Sequence, residues 1–149
     1  MVKRIVLVTN KEQLQQCLDI RMEVFVREQQ VDASLEVDEF DQSPEACTHM
    51  LLLVDGQPAA TGRMRPYENA NSTMKLQRIA VLKPMRGTGA GKAIVLGLEE
   101  QAKKLGFAYT LLDAQCQAEV FYQKLGYVTI SPETFLDAGI PHVRMKKQL

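Results

Sequence analysis

The sequence has few of the residues from which metal sites and disulfide frameworks are built. It contains two histidines, three cysteines and no tryptophan. Cys17, Cys47 and Cys116 lie far apart and include no C-x-x-C pair, so neither a disulfide framework nor a zinc site is indicated. We therefore expect no metal and three free thiols, as is usual in a reducing cytoplasmic compartment.

The sequence also lacks an excess of either charge and any long apolar run. Its 18 Lys and Arg residues balance 18 Asp and Glu residues, whereas a general nucleic-acid-binding protein carries a basic excess. No apolar run approaches the roughly 20 residues of a membrane-spanning helix. The short apolar run before Thr9 is typical of a first strand rather than of a signal peptide. We expect no nucleic-acid or membrane partner.

Hydrophobic periodicity predicts a single mixed α/β domain covering residues 1–149. The predicted strands are Arg4–Val8, His49–Val54, Ala59–Arg65, Thr73–Leu82, Tyr109–Ala114, 127–130 and 142–147. The predicted helices are Lys11–Gln29, Ala90–Leu105 and Ala118–Gly126, and the acidic stretch Glu36–Ala46 is predicted to be a loop.

Local signals support several of these boundaries. Asn10 is a predicted N-cap, and Asp55-Gly56 is typical of a hairpin turn. Gly106 and Gly126 are predicted to end the helices that precede them. We interpret Arg21, Arg63 and Arg78 as ordinary surface or strand charges.

The stretch "KPMRGTGAGKAIV", Lys83–Val95, places three glycines between a strand and a helix. A helix begins with unpaired amides and partial positive charge, and glycines allow a phosphate to approach them. Arg86 and Lys92 flank the glycines and add positive charge. The spacing fits neither a Walker loop nor a dinucleotide-binding fingerprint. We therefore expect an anionic cofactor of another kind.

Two motifs resemble those of the GNAT superfamily of acyl-CoA-dependent N-acyltransferases. The first is R-x-x-G-x-G, from Arg86 to Gly91, which directly follows the strand "LQRIAVL". The second is N-x-x-A-x-x-x-Y-x-x-x-G-F/Y, matched here by Gln115, Ala118, Tyr122, Gly126 and Tyr127 with Gln in place of the leading Asn. "IRMEVFVREQQV", "EVDEFD" and "FLDAGIPHVRM" further resemble the small bacterial ElaA/YjcF-like branch.

The resemblance implies a mixed, twisted sheet of about seven strands flanked by about four helices. It implies acetyl-CoA as cofactor and direct transfer of the acetyl group to a small-molecule amine or a protein amine. Tyr122 would protonate the departing thiolate, and the Val81 amide would donate to the oxyanion. The residues implied to bind the cofactor are Ile79, Ala80, Val81, Arg86, Gly87, Thr88, Gly89, Ala90, Gly91, Lys92, Gln115, Ala118 and Tyr122.

The general base stays open, because Gln77 occupies the position of the strand glutamate that many family members use. The alternatives are Glu23, Glu28, Glu36, Asp38, Glu39, Asp41, His49, His142 or a chain of waters. A covalent route through Cys116 is less simple than direct transfer.

Two rival functions and one assembly state also remain open. The loss of the strand glutamate favours a non-catalytic acyl-CoA-binding or regulatory module, and the glycine loop alone would suit a nucleotide-binding domain. A homodimer formed through an edge strand is compatible with the predicted fold.

Overall fold

A computed structural model describes residues 1–149, with eight β-strands and four α-helices. The strands are β1 Lys3–Leu7, β2 Thr48–Val54, β3 Gln57–Pro66, β4 Thr73–Val81, β5 Tyr109–Gln115, β6 Val128–Thr129, β7 Phe135–Asp137 and β8 Ile140–Gln148. The helices are α1 Lys11–Arg21, α2 Ala33–Glu36, α3 Ala90–Lys104 and α4 Glu119–Lys124. A π-helix, Met22–Glu28, follows α1, and 3₁₀ turns cover Glu39–Asp41, Lys83–Met85 and Cys116–Ala118.

All eight strands belong to one sheet, in the order β1-β2-β3-β4-β5-β8-β6, with β7 paired to β8. β4 and β5 run parallel, with Thr73–Leu76 opposite Tyr109–Leu112, and α3 lies in the connection between them. The predicted mixed α/β fold is confirmed. The extra strand, β7, lies in a segment predicted to be a loop. It pairs with β8 across a turn at Ala138 and Gly139, whose φ values are 50° and 77°.

Most of the predicted boundary signals act as expected. The Asn10 side chain accepts a hydrogen bond from the Gln13 amide at 2.8 Å and so begins α1. Asp55 and Gly56 have φ values of 49° and 80°, as a two-residue hairpin turn requires. Gly106 and Gly126, at φ 89° and 99°, follow the ends of α3 and α4. The helical run predicted over Lys11–Gln29 changes to π-helical hydrogen bonding at Met22.

The chain contains two compact units, the first of which comprises residues 1–64 and 78–98. Its core is an apolar cluster between α1, the π-helix and strands β2 and β4. The members of this cluster are Val8, Leu14, Cys17, Ile20, Val24, Leu51 and Ala80. The predicted apolar face of the first helix therefore packs against the sheet, because residues three and four apart share one side of a helix.

The second unit comprises residues 65–77 and 99–149. A group of buried polar side chains lies inside this unit. The Tyr127 hydroxyl donates to Glu99 at 2.9 Å and lies 2.8 Å from the Thr110 hydroxyl. Lys147 Nζ donates to the other oxygen of Glu99 at 2.7 Å. These contacts satisfy the polar atoms that α3, β5 and β8 bury here.

No helix of the chain combines the length and the apolar character needed to cross a membrane.

Candidate active site

The glycine-rich stretch forms a tight loop that leads directly into α3. Gly87 and Gly89 have φ values of 78° and 86°, a conformation in which side chains are strained. The Ala93 amide donates to the Gly89 carbonyl at 3.0 Å, so the amides of residues 90–92 precede the first helical hydrogen bond. The loop therefore presents backbone N–H groups and the positive end of a 15-residue helix at one place.

Arg86 forms hydrogen bonds with other protein groups at this loop. Its Nε donates to the Val81 carbonyl at 3.1 Å, and its two terminal nitrogens donate to Glu28 at 2.9 and 3.0 Å. The hydrogen bonds from Arg86 lower the pKa of the Glu28 carboxyl. Arg86 thus ties the end of β4 to the last residue of the π-helix.

Strand β4 departs from regular strand geometry just before the residues predicted to bind the pantetheine arm, and we call this departure the bulge in β4. Arg78 has φ 54° in the middle of the strand, and the ladder between β4 and β5 ends two residues earlier, at Leu76. The Arg78 guanidinium donates to the carbonyls of Leu35 and Glu36 at 3.3 and 3.2 Å. Beyond the bulge, Ala80 is buried among the residues of the first core.

An ion-pair cluster of three arginines and three carboxylates holds the segment that precedes β2. Arg21 binds Glu36 at 2.8 Å and Asp41 at 2.7 Å, and its side chain is 1% exposed. Arg63 binds Asp38 at 2.7 Å and Asp41 at 3.0 Å. The third arginine, Arg78, lies 3.4 Å from Glu36 and 3.7 Å from Asp38. We call these six residues the arginine–carboxylate cluster.

The pKa values of the carboxyl groups follow from this pairing. Hydrogen bonds from Arg63 lower the pKa of Asp38. Burial acts to raise the pKa of Asp41, but hydrogen bonds from Arg21 outweigh it and lower that pKa far below its usual range. Burial dominates at Glu36 and raises its pKa. The interpretation as surface charges is wrong for Arg21 and Arg63, because both are buried and paired, although Arg63 does lie in strand β3.

Most of the remaining predicted bases of the first unit already interact with other protein groups. Glu23 pairs with Arg27 at 2.7 Å, whereas Glu39 is exposed. His49 is 1% exposed, and its Nε2 lies 3.0 Å from the Phe40 carbonyl, so that nitrogen must carry the proton. Burial lowers the pKa of His49. Its neighbour Cys47, on the same face, has its Sγ 3.3 Å from Nε2.

Tyr122 lies in α4, in the second unit, and is 8% exposed. Its ring contacts those of Phe121 and Tyr127 edge to face, with centroids 5.0 and 5.7 Å apart. Burial alone raises the pKa of its hydroxyl, which forms no hydrogen bond. The phenol is therefore protonated at neutral pH, as a general acid must be.

The other residues of the second motif lie at the end of β5 and in the turn that follows. Gln115 is the last residue of β5, and its side-chain oxygen accepts a hydrogen bond from Gln117. Ala118 ends the 3₁₀ turn and directly precedes α4. Gln115, Ala118 and Tyr122 are thereby grouped within eight consecutive residues of the second unit.

A second polar group lies on β5 and β8. Arg144 Nε and Nη2 donate to Asp113 at 2.8 and 3.1 Å, and Arg144 Nη1 donates to the Tyr67 hydroxyl at 2.9 Å. Lys75 Nζ lies 3.4 Å from the same carboxylate. Burial acts to raise the pKa of Asp113, but the hydrogen bonds and positive charges of Arg144 and Lys75 outweigh it and lower that pKa.

Sequence reasoning missed the roles of Arg78 and Asp113. Nothing local marks an arginine for a positive φ within a strand, since the bulge depends on contacts with a segment about 40 residues away. One signal was available for the arginine–carboxylate cluster, namely three carboxylates, Glu36, Asp38 and Asp41, within six residues. No group of three or more His, Cys, Asp or Glu side chains is placed to hold a metal ion.

Comparison with known proteins agrees with this architecture. Residues 8–149 match the family model of the acetyltransferase (GNAT) domain. YyaT of Bacillus subtilis is 47% identical over 99% of this chain and 95% of its own length. YjcF, an uncharacterized N-acetyltransferase of the same organism, is 42% identical over 95% of this chain and 97% of its own length.

A solved structure shares the fold over nearly the whole chain. ElaA of Escherichia coli superposes with a TM-score of 0.82 at 22% identity, covering 98% of each chain. The fold, the family model and the two Bacillus relatives lead to one conclusion: this chain is an acetyltransferase of the GNAT family, in its ElaA/YjcF-like branch.

Proposed function

We propose that this acetyltransferase moves the acetyl group of acetyl-CoA directly to a primary amine, either of a small molecule or of a protein, within one catalytic domain of residues 1–149. The observation that carries the proposal is the pair of positive-φ glycines, Gly87 and Gly89, immediately before α3. They free the backbone amides of residues 90–92 to bind the pyrophosphate of the cofactor.

The remaining cofactor contacts follow from the two motifs. The backbone of Ile79, Ala80 and Val81 lies beyond the last β4–β5 pair, so this edge of β4 is available to the amides of the pantetheine arm. We assign further backbone and side-chain contacts to Thr88, Gly91, Lys92, Gln115 and Ala118. Arg86 acts mainly through the loop that it holds, because its guanidinium binds Glu28 and Val81.

The chemistry requires a neutral amine, a donor for the developing oxyanion and a proton for the departing thiolate. We assign the oxyanion donor to the Val81 amide and the proton to the Tyr122 hydroxyl. Burial of Tyr122 keeps its hydroxyl protonated before the reaction, so the proton is present when the thiolate departs.

Calorimetric titration tests the cofactor. We expect micromolar binding of acetyl-CoA, about −8 kcal/mol, and no binding of ATP or NAD under the same conditions. Gly89→Glu places a carboxylate at the phosphate position and should abolish binding, whereas Gly56→Glu, in a hairpin turn at a similar φ, is the matched control. Equal affinity in Gly89→Glu would mean that the phosphate binds elsewhere.

The acceptor is then sought in a panel of primary amines and of peptides with free lysines or N-termini. Release of free coenzyme A and a mass increase of one acetyl group on the acceptor would identify a substrate. Absence of transfer to every amine class, with acetyl-CoA binding intact, would support the second candidate.

That second candidate is a non-catalytic acyl-CoA-binding module. It is favoured by Gln77, which cannot take a proton at the position where many family members have glutamate. Gln77→Glu separates the two candidates. A module without a base would gain transfer activity from the added carboxylate, whereas an enzyme with its base elsewhere would not.

A further inference from the structure

His142 occupies a position in β8 that suits a proton acceptor. It pairs with Gln115 of β5 on one side and with Phe135 of β7 on the other. Its ring stacks on that of Phe135, with centroids 6.1 Å apart and planes at 24°. The residue is 8% exposed, so its imidazole is held in place by packing rather than moving freely in water.

The hydrogen bond at Nδ1 determines which nitrogen of His142 carries the proton. Nδ1 lies 2.6 Å from the carbonyl oxygen of Ile140. A carbonyl only accepts, so Nδ1 must donate and the neutral ring carries its proton there. Nε2 consequently bears the lone pair. It forms no hydrogen bond and is not fully enclosed by protein atoms.

Most other predicted bases are shared with partners, and Glu39 is exposed to solvent rather than held in place. The carboxylates of Glu36, Asp38 and Asp41 are shared with arginines. The other histidine, His49, donates its Nε2 proton to a carbonyl and is almost fully buried. An imidazole with a fixed tautomer and an unshared lone pair is the arrangement that general-base catalysis requires.

The position of His142 relative to β5 is a second argument for its role as a proton acceptor. Directly opposed residues of antiparallel strands have Cβ atoms about 5 Å apart and point to the same face. His142 therefore shares a face with Gln115, the residue that matches the amide of the second motif. Residues of β5 beyond Leu112 have no ladder partner in β4. His142 thus belongs to the strand next to β5, opposite the part of β5 that has no partner in β4.

We propose that His142 is the general base of the reaction and that its Nε2 takes a proton from the acceptor amine, directly or through one water. This inference rests on the proposed function. The amine nitrogen forms a bond to the thioester carbonyl carbon, and the carbon–sulfur bond breaks. The nitrogen loses one proton to Nε2, and the thiolate gains one from Tyr122. Both residues then return to their starting states by exchange with solvent.

The charges around His142 are compatible with a transient imidazolium. Two residues along β5 and β8, the next register pair on the same face is Asp113 and Arg144, which are ion-paired with each other. Lys75 lies against the same Asp113, and Asp137 of β7 is the register partner of Ile140. Arg144 and Lys75, the cations of this group, are both matched by the Asp113 carboxylate.

The test uses a substitution that keeps the hydrogen bond and removes the base. Asn at position 142 can still donate from its amide to the Ile140 carbonyl but has no basic nitrogen. We expect His142→Asn to lower kcat by about 10²- to 10⁴-fold, with the dissociation constant of acetyl-CoA nearly unchanged. The melting temperature should fall modestly, because the stacking on Phe135 is lost. The acidic limb of the wild-type pH–rate profile should disappear in this variant.

His49→Gln is the matched control, because glutamine can replace the Nε2 donor of that buried ring. It should lower stability without changing the shape of the pH–rate profile. An aryl amine such as aniline, which is neutral at pH 7, should show a smaller loss in His142→Asn than a protonated alkylamine such as benzylamine. A purely structural role of His142 would affect both amines equally.

A measurement that needs no acceptor is available because the chain has only two histidines. Nitrogen-15 NMR of the imidazoles, assigned with the His49→Gln variant, should show the neutral tautomer with its proton on Nδ1 for His142. A proton on Nε2, or wild-type kcat and pH profile in His142→Asn, would overturn the assignment while acetyl-CoA binding stayed intact. Failure of the wild type to bind acetyl-CoA would instead overturn the proposed function itself.

Discussion

The two units place charged and polar groups in contrasting settings. The arginine–carboxylate cluster of the first unit matches three cations with three anions, and the Arg21 and Asp41 side chains are at most 1% exposed. In the second unit, the Asp113 and Arg144 side chains are 13% and 31% exposed, and Tyr122 and His142 keep polar atoms without protein partners. A cluster in which every charge is paired fixes a conformation, even though Asp38 and Arg78 at its edge are 28% and 26% exposed. Chemistry instead needs groups that are held in place and still have a free polar atom.

The largest expected effect concerns Tyr122. Tyr122→Phe should reduce turnover by about 10²- to 10⁴-fold. Acetyl-CoA affinity and melting temperature should hardly change, because the lost hydroxyl forms no hydrogen bond. Steady-state kinetics and calorimetry on the same preparation would measure both.

Tyr127→Phe provides the contrast, since that hydroxyl contacts both Thr110 and Glu99. It should lower the free energy of unfolding by about 1–2 kcal/mol with little specific loss of turnover. Wild-type activity in Tyr122→Phe would remove Tyr122 from the mechanism.

Asp41→Ala should cause the largest loss of stability. It leaves the buried guanidinium groups of Arg21 and Arg63 without their shared carboxylate, and removal of one partner from a buried ion pair typically costs about 3–5 kcal/mol. Urea unfolding followed by circular dichroism would measure it. Glu39→Ala, at an exposed neighbouring position, should change stability by no more than about 0.5 kcal/mol. Similar values for the two variants would contradict the pairing described here.

The lowered pKa of Asp41 makes the stability of the protein depend on pH. Because the pKa of Asp41 is lower in the folded than in the unfolded chain, its stabilising contribution is complete above the unfolded value of about 3.9 and is lost as the pH falls below it. Glu36, whose pKa is raised, contributes with the opposite sign. Urea midpoints at pH 5, 4 and 3 should therefore fall more steeply in the wild type than in Asp41→Ala. Parallel curves would argue against the depressed pKa.

An intermediate effect is expected at the bulge in β4. Arg78→Gly and Arg78→Val both lose the hydrogen bonds to residues 35 and 36, but only glycine accepts φ 54° without strain. We expect the valine variant to be less stable than the glycine variant by about 1–2 kcal/mol. In a regular strand the order would be reversed. Equal urea midpoints, or a more stable valine variant, would mean that β4 is not bulged at this position.

The smallest effect is expected at Glu99, a buried residue of the second unit whose partner Lys147 is partly exposed. Glu99→Gln can still accept from the Tyr127 hydroxyl and loses only its charge interaction with Lys147, which is 21% exposed. The expected loss is about 0.5–1 kcal/mol, measured by urea unfolding at low and high salt. A loss as large as that of Asp41→Ala would abolish the contrast between the two units.

The parts of the fold that depend on neighbours in sequence could be predicted from it. The Asn10 cap, the Asp55-Gly56 turn and the stops at Gly106 and Gly126 each arise from the conformational preference of one or two residues. The glycine loop followed by a helix was predictable for the same reason, and its two positive-φ glycines agree with it.

The parts that depend on contacts between distant segments could not be predicted. Arg21 and Arg63 look like surface residues in a sequence, and only the fold brings Asp38 and Asp41 against them. The bulge at Arg78 has the same origin, and β7 is too short and too close to prolines to give a strand signal. His142 was one of eight predicted bases, and only its hydrogen bond to Ile140 distinguishes its two nitrogens.

The complete burial of Cys17 and the partial burial of Cys47 have a practical consequence. Burial raises the pKa of Cys17 and of Cys47 to about 11, so at neutral pH almost none of either thiol is the reactive thiolate. Cys116 is partly exposed and directly follows Gln115 of the second motif. A maleimide fluorophore should therefore react preferentially at Cys116, so that a reporter of ligand occupancy could be attached without engineering a cysteine into the chain.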